Sequence, residues 1–336
     1  MHTQAAAAAP WLEHRIDRHI RRQRTVPLAL VGLSALLFGG CTTPDSFAVS
    51  TSRFAEATAT LAGASEDYLL DADHIDFETA LVQAEFAGRP IAKGVLDRPF
   101  FPVEDMAARR ALLAAMRTYA AALACIADQR LGDDFRSTAG QLRANLLTFE
   151  RHLQEISPNS GLRALQSKSG FFAEVVGALG GLLLERAQAE AIVDAIIRAD
   201  PAMRDAADLL EADLVLMSAK IREARALEFA IAVDAVNPLL PGAPLDRRTS
   251  LAGAVRPFKD RYLASRTLGG GFVEALAGYR AAQAEITSFA QGTRDPESLP
   301  RMIAAVDGFA VRARALVTLM RRGSQAIPSL TEEKSR

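Results

Sequence analysis

The sequence predicts an all-α protein, and two observations carry that prediction. The 336-residue chain is 49% hydrophobic but only 6% aromatic. Ala and Leu supply much of the apolar content, so good helix formers dominate and runs of β-branched and aromatic residues are scarce. The apolar residues also recur at alternating steps of four and three, the spacing that lines one face of a helix. Segments with this spacing run to ~25 residues, or ~37 Å of helix. Together they predict an elongated antiparallel bundle of roughly six to eight long helices.

Taken in order, Phe54, Ala57, Leu61 and Tyr68 mark a first helix, and residues 76–87 continue it after a break. The segment EDMAARRALLAAMRTYAAALACIAD carries its stripe through Leu112, Met116, Tyr119, Leu123 and Ile126. In DDFRSTAGQLRANLLTFERHLQEI the stripe is Phe135, Ala139, Leu142, Leu146, Phe149, Leu153 and Ile156. Residues 170–199 read as a broadly apolar helix. In DPAMRDAADLLEADLVLMSAKIREAR the stripe is Met203, Ala207, Leu210, Leu214, Met217 and Ile221. Asp200 is the expected N-cap there, with Pro201 at the first helical position. Leu251, Val255, Phe258 and Tyr262 mark a further helix, LGGG at 268–271 is expected to interrupt it, and Phe272, Leu276, Tyr279 and Ile286 resume the pattern. Met302 to Arg322 form the last helix. Proline- and glycine-rich stretches at 88–102, 237–246 and 291–300 punctuate the series. The segment 237–248 reads either as an elbow between two sub-bundles or as a long crossover in one bundle. The bundle domain is expected over 51–323 and a loose polar tail over 324–336.

The N-terminus has a different character. Residues 11–25 contain Arg15, Arg18, Arg21, Arg22 and Arg24, residues 26–40 carry no charge, and CTTPDS then turns polar. Fifteen apolar residues fall short of the ~20 that a spanning helix needs. A basic region, a short apolar region and small residues before a boundary are the parts of a secretory signal over residues 1–40. The positive flank keeps the extreme N-terminus in the cytoplasm.

The boundary residue is Cys41, and LFGGC resembles the lipobox of bacterial lipoprotein precursors. Gly39, Gly40 and Cys41 fit its last three positions, and Phe38 stands where the family usually has Leu. The resemblance covers about the first 42 residues. It implies that the Cys41 sulfur takes a diacylglyceryl group, that the chain is cut before it, and that the new amine is acylated. Residues 41–50 would then be a lipid-anchored tether. Thr42, in place of the Asp that retains enterobacterial lipoproteins at the inner membrane, implies the periplasmic face of the outer membrane.

Processing at Cys41 removes five of the 39 basic and two of the 40 acidic residues and leaves a mildly acidic chain. No global field argues for nucleic acid. Cys125 would be left without an intramolecular partner. The mature sequence is poorly supplied for catalysis, and it is expected not to be an enzyme. It has no nucleophile elbow and no P-loop, and only His74 and His152 remain. DADHIDFE, Asp71 to Glu78, gathers possible metal ligands but lacks the EF-hand glycine and spacing, so a solvated acidic break is expected, with no metal and no cofactor. Cys125 reads as a small buried hydrophobe.

GFFAEVVGALGGLLLER, 170–186, carries Gly177 and Gly181 in a small-xxx-small pair suited to close helix packing. The expected function is a non-enzymatic helical scaffold or adaptor in the cell envelope, held to the membrane by lipid and serving a protein partner. The alternative is a carrier of a lipid or other apolar molecule, with Phe171, Phe172, Leu179 and Leu183 lining a pocket between helices. A third reading is an enzyme with a cleft that gathers His74 or His152 with carboxylates.

Overall fold

A computed structural model describes residues 45–96, 101–128, 132–158, 160, 162–163, 176, 194, 197–291 and 297–323. Among these residues the chain is helical and forms no strand, as the apolar spacing predicts. The long helices are α1 (Asp45–Asp73), α2 (Ile75–Ala87), α3 (Val103–Ala127), α4 (Asp133–Glu155), α5 (Asp200–Val236), α6 (Leu245–Ala290) and α7 (Ser298–Gly323). A single helical turn, Lys93–Leu96, lies between α2 and α3.

Local chemistry sets several of the boundaries. Pro102 precedes α3, and Glu104 and Asp105 complement the exposed amides of its first turn. Asp133 and Asp134 do the same for α4. α2 stops at Gly88, whose φ of 63° is left-handed and suits a residue without Cβ. Arg321 and Arg322 sit in the last turn of α7, where cations are favoured.

α1 packs against α3 and α7, α4 against α3, and α6 against both α5 and α7. α3 and α5 touch at few points and close the ring α1–α3–α5–α6–α7. All seven members of the α4 stripe, Phe135 through Ile156, are buried, as are all six of the α5 stripe. Phe54, Tyr279 and Phe309 cluster at the join of α1, α6 and α7, with ring centroids 5.4–5.8 Å apart; Phe54 stacks on Tyr279, and Phe309 meets Tyr279 edge-on. α3 is long and apolar enough to cross a membrane by length and composition, but most of it is buried in the bundle. Asp105 and Arg109 on it are buried too.

Several expectations are corrected. Asp45 to Ser50, placed in the tether, belong to α1, and Phe47 is buried against Phe289 at 4.7 Å. Second, LGGG at 268–271 does not interrupt its helix, because α6 runs unbroken for 46 residues. Here glycine serves close approach. A Cβ on Gly269 would lie 2.6 Å from Ser218 Oγ of α5, and one on Gly271 would lie 3.1 Å from Leu319 Cδ1 of α7. Third, Asp200 is not the N-cap of α5. Ala199 occupies that position without a side-chain cap, and Asp200 turns into the core.

The segment between α5 and α6 is neither elbow nor crossover. A 3₁₀ turn at Asn237–Leu239 and a left-handed Gly242, φ 76°, reverse the chain within eight residues, and the two helices pack against each other as a hairpin. α6 bends the helical rule once, at Pro257, which has no N–H to give to the Gly253 carbonyl. Around Pro257 the hairpin leaves the main core. A small separate cluster of Val82, Ala232 and Phe258 is buried beside it, and α2 contributes to and covers that cluster.

Candidate functional site

The break that the sequence places near Asp71–Glu78 is real, and it positions a largely buried charged network. His74 is a one-residue turn between α1 and α2. It carries the last turn of α1 and the first of α2 towards the flank of the hairpin. Arg225 and Glu228 of α5 lie one helical turn apart, and Arg261 and Ser265 of α6 do the same on the opposite arm.

These side chains form one network. Arg225 Nη1 donates to Glu78 Oε2 at 2.5 Å and to both Glu228 oxygens at 2.9 Å. Arg261 Nη2 donates to Glu78 Oε2 at 2.5 Å, and its Nη1 stands 3.8 Å from Glu228 Oε2. The Thr79 hydroxyl donates to Glu228 Oε1 at 3.2 Å. Glu228 is 1% exposed, and the Arg225 and Arg261 residues are also buried. Two cations and two carboxylates balance, which is the condition for holding charge away from water.

Beside the network lies a cavity of about 20 Å³, bounded by Tyr68, Asp71, Arg225, Arg261 and Ser265 with Ile221, Leu268 and Met320. It has the room of one water molecule. The Tyr68 hydroxyl and Arg261 Nε, both buried without a protein partner, belong to its lining. Burial pushes the Tyr68 hydroxyl well above its ordinary range and keeps it neutral.

The carboxyls at this site are pushed apart. Burial acts to raise Glu78, but Arg225 and Arg261 outweigh it and hold Glu78 below the ordinary glutamate value. Burial and the neighbouring Glu78 raise Asp71. A lowered carboxyl stabilises the fold above its unfolded pKa, and that contribution fades as pH falls through the folded value. A raised carboxyl does the reverse and weakens the fold where it is ionised. Glu78→Gln is therefore expected to lower the melting temperature at pH 7, with the deficit shrinking below about pH 4. Asp71→Asn is expected to raise it at pH 7, with the gain gone in the same acid range. Thermal melts at pH 7 and pH 3 read both.

The other members of DADHIDFE scatter. Asp73 Oδ1 accepts from the Phe101 amide at 3.4 Å, and His74 and Asp76 are exposed. No three His, Cys, Asp or Glu side chains are placed to hold a metal among the described residues. His152 lies on α4 with Nδ1 3.6 Å from Glu155 Oε2. Cys125 is half-buried against the core with a free thiol. Cys41, Gly177, Gly181 and the pocket residues Phe171, Phe172, Leu179 and Leu183 lie outside the described residues. Of that apolar segment Val176 is described. It is buried, and its carbonyl accepts from Arg143 Nε at 3.4 Å.

Two further buried clusters hold the bundle. Arg109 pairs with Asp213 through Nε at 2.5 Å and Nη2 at 2.8 Å, and its guanidinium stands 4.2 Å from the centre of the Phe101 ring. Asp200 Oδ1 accepts from Gln283 and Thr287 at 2.9 Å and from the Tyr119 hydroxyl at 3.4 Å, while Oδ2 meets Arg204 at 2.5 Å. Sequence reading missed all three networks. A buried Arg looks like a solvated one until its distant partner is known, 104, 147 and 183 residues away for Arg109, Arg225 and Arg261.

The chain matches no family model, no curated protein and no solved structure.

Proposed function

We propose that the protein is a lipid-anchored scaffold or adaptor on the periplasmic face of the outer membrane, and that it works without catalysis. The lipobox resemblance supplies the anchor. The observation that carries the reading is the separation of two ends. α1 begins at Asp45, four residues beyond Cys41, and Phe47 near its start packs on Phe289 near the end of α6. The hairpin tip lies at the other end of α6, roughly 65 Å away along a helix of 46 residues.

A lipid at Cys41 would hold the chain at the bilayer just before α1 and leave the hairpin tip to project from the far end of α6. The tip presents Leu239 and Leu245, 48% and 73% exposed, among Pro238, Pro241 and Pro244. Tethering raises the effective concentration of such a surface for neighbours in the same membrane. The buried networks support a structural role, since their charged groups are committed to one another across helices.

Fractionation of cells making wild type or Cys41→Ser tests the reading. Wild type is expected in the membrane pellet after a high-salt, alkaline wash, and Cys41→Ser in the soluble fraction. Wild type released by that wash, or a variant retained as firmly as wild type, would contradict it.

A further inference from the structure

We propose that the groove on the α5–α6 hairpin beneath α2 is an exchangeable helix-docking site. α2 fills it at rest, and an amphipathic helix of a partner protein takes it on engagement. That helix would present the face α2 presents: a carboxylate, then apolar residues four and eight positions later. The biological use of the site rests on the adaptor reading; the groove itself does not.

The walls of the groove belong to α5 and α6. Its floor is Phe258 and Ala232, both buried, with Phe229 and Tyr262 stacked at 6.0 Å beside them. Its polar end is Arg225 and Arg261. α2 meets this surface through Thr79, whose hydroxyl donates to Glu228, and through three anchoring side chains on one face. Glu78 takes both arginines, Val82 enters the apolar cluster, and Phe86 sets its ring edge-on to Phe258 at 5.3 Å. These residues are spaced i, i+4 and i+8, the anchor pattern of a helix in a groove.

α2 is also the most separable helix of the fold. It has 13 residues, a one-residue break before it and a left-handed glycine after it. Only Ile75 and Val82 of its side chains are fully buried. An element with so few buried contacts opens below the global unfolding free energy. Glu228 makes opening affordable electrostatically. It lies on α5 itself and stays with Arg225 and Arg261 when Glu78 leaves. The open groove then presents the two guanidiniums that held Glu78, with Glu228 and, from α1, Asp71 as the remaining carboxylates, above an apolar floor. Those freed donors are the complement of a helix with a carboxylate at that position and disfavour a basic one.

The test uses a dye-labelled peptide of residues 74–88, the α2 sequence, with the full-length chain extracted in detergent. The chain is either wild type or carries Glu78→Ala with Val82→Ala to loosen α2. The loosened chain is expected to bind the peptide at least about tenfold more tightly than wild type does. A peptide carrying Glu78→Lys is expected to bind at least about tenfold more weakly than the α2 peptide. Equal binding to both chains, or none, with helix content and a cooperative melt retained in the loosened chain, would overturn the proposal. Hydrogen exchange on wild type gives a reading that needs no variant. α2 amides are expected to exchange through an opening that leaves α5 and α6 protected, and α2 exchange only through global unfolding would overturn the proposal. A wild-type dimer with α2 swapped between copies would replace the partner helix by a second copy and overturn the assignment of the occupant. None of these outcomes depends on the lipid, so they fail or succeed separately from the adaptor reading.

Discussion

Asp213→Ala is expected to lower the unfolding free energy by about 3–5 kcal/mol, the range for removing one partner of a buried ion pair. The loss follows from what remains. Arg109 is 2% exposed, and without Asp213 its nearest counter-charge is Asp105, whose Oδ2 is 3.9 Å from Nη1. Asp105 is already engaged, accepting the Ser157 amide at 2.7 Å in the first turn of α3. The stranded guanidinium sits at the α3–α5 edge, where the ring of helices closes with little other packing. The double replacement Arg109→Met with Asp213→Leu is expected to recover most of the loss, because neither charge is then left in the core. Urea unfolding of the two single variants and the double measures the coupling. A single-variant loss under about 1 kcal/mol would show the pair to be solvated.

The second large effect belongs to the glycines of α6. A Cβ on Gly278 would lie 3.2 Å from the Phe309 Cα of α7 and 3.2–3.3 Å from two atoms of Arg312. Backbone cannot move aside as a side-chain end can. Gly278→Leu is expected to cost at least about 2 kcal/mol through overpacking. Gly270, eight residues earlier on the same helix, meets nothing within 4 Å. Gly270→Ala is expected to stabilise by up to about 1 kcal/mol, the helix-propensity gain alone. The opposite signs on one helix, read by chemical denaturation, separate close packing from propensity. Two effects of the same sign would contradict the packing of α6 on α7.

The same glycines show where sequence reading of this chain stops. The stripes of α4 and α5 were legible because burial at four- and three-residue steps is a local property, and each residue reports its own face. LGGG reads as a break because glycine costs about 1 kcal/mol each in a helix interior. That local cost is offset by backbone approach to Ser218 and to Leu319, some 50 residues away on either side. Asp200 reads as a cap because Asp before Pro usually is one. Its hydrogen-bond partners Tyr119, Gln283 and Thr287 are 81, 83 and 87 residues distant.

The reading of Asp71–Glu78 found the break but not its purpose. An acidic stretch in isolation reads as a solvated turn. Glu78 becomes the half-buried partner of two arginines only because Arg225 and Arg261 arrive from 147 and 183 residues away. Periodicity therefore gives the helices and most of the core. The charged networks that fix how those helices meet depend on pairings that no single segment contains.

Intact mass of the wild-type protein extracted from membranes tests the central claim most directly. The proposal requires a polypeptide that begins at Cys41 and is heavier than its sequence by a diacylglyceryl group and an amide-linked acyl chain, both absent from Cys41→Ser. A wild-type product that retains residues 1–40 and carries no acyl mass would contradict it.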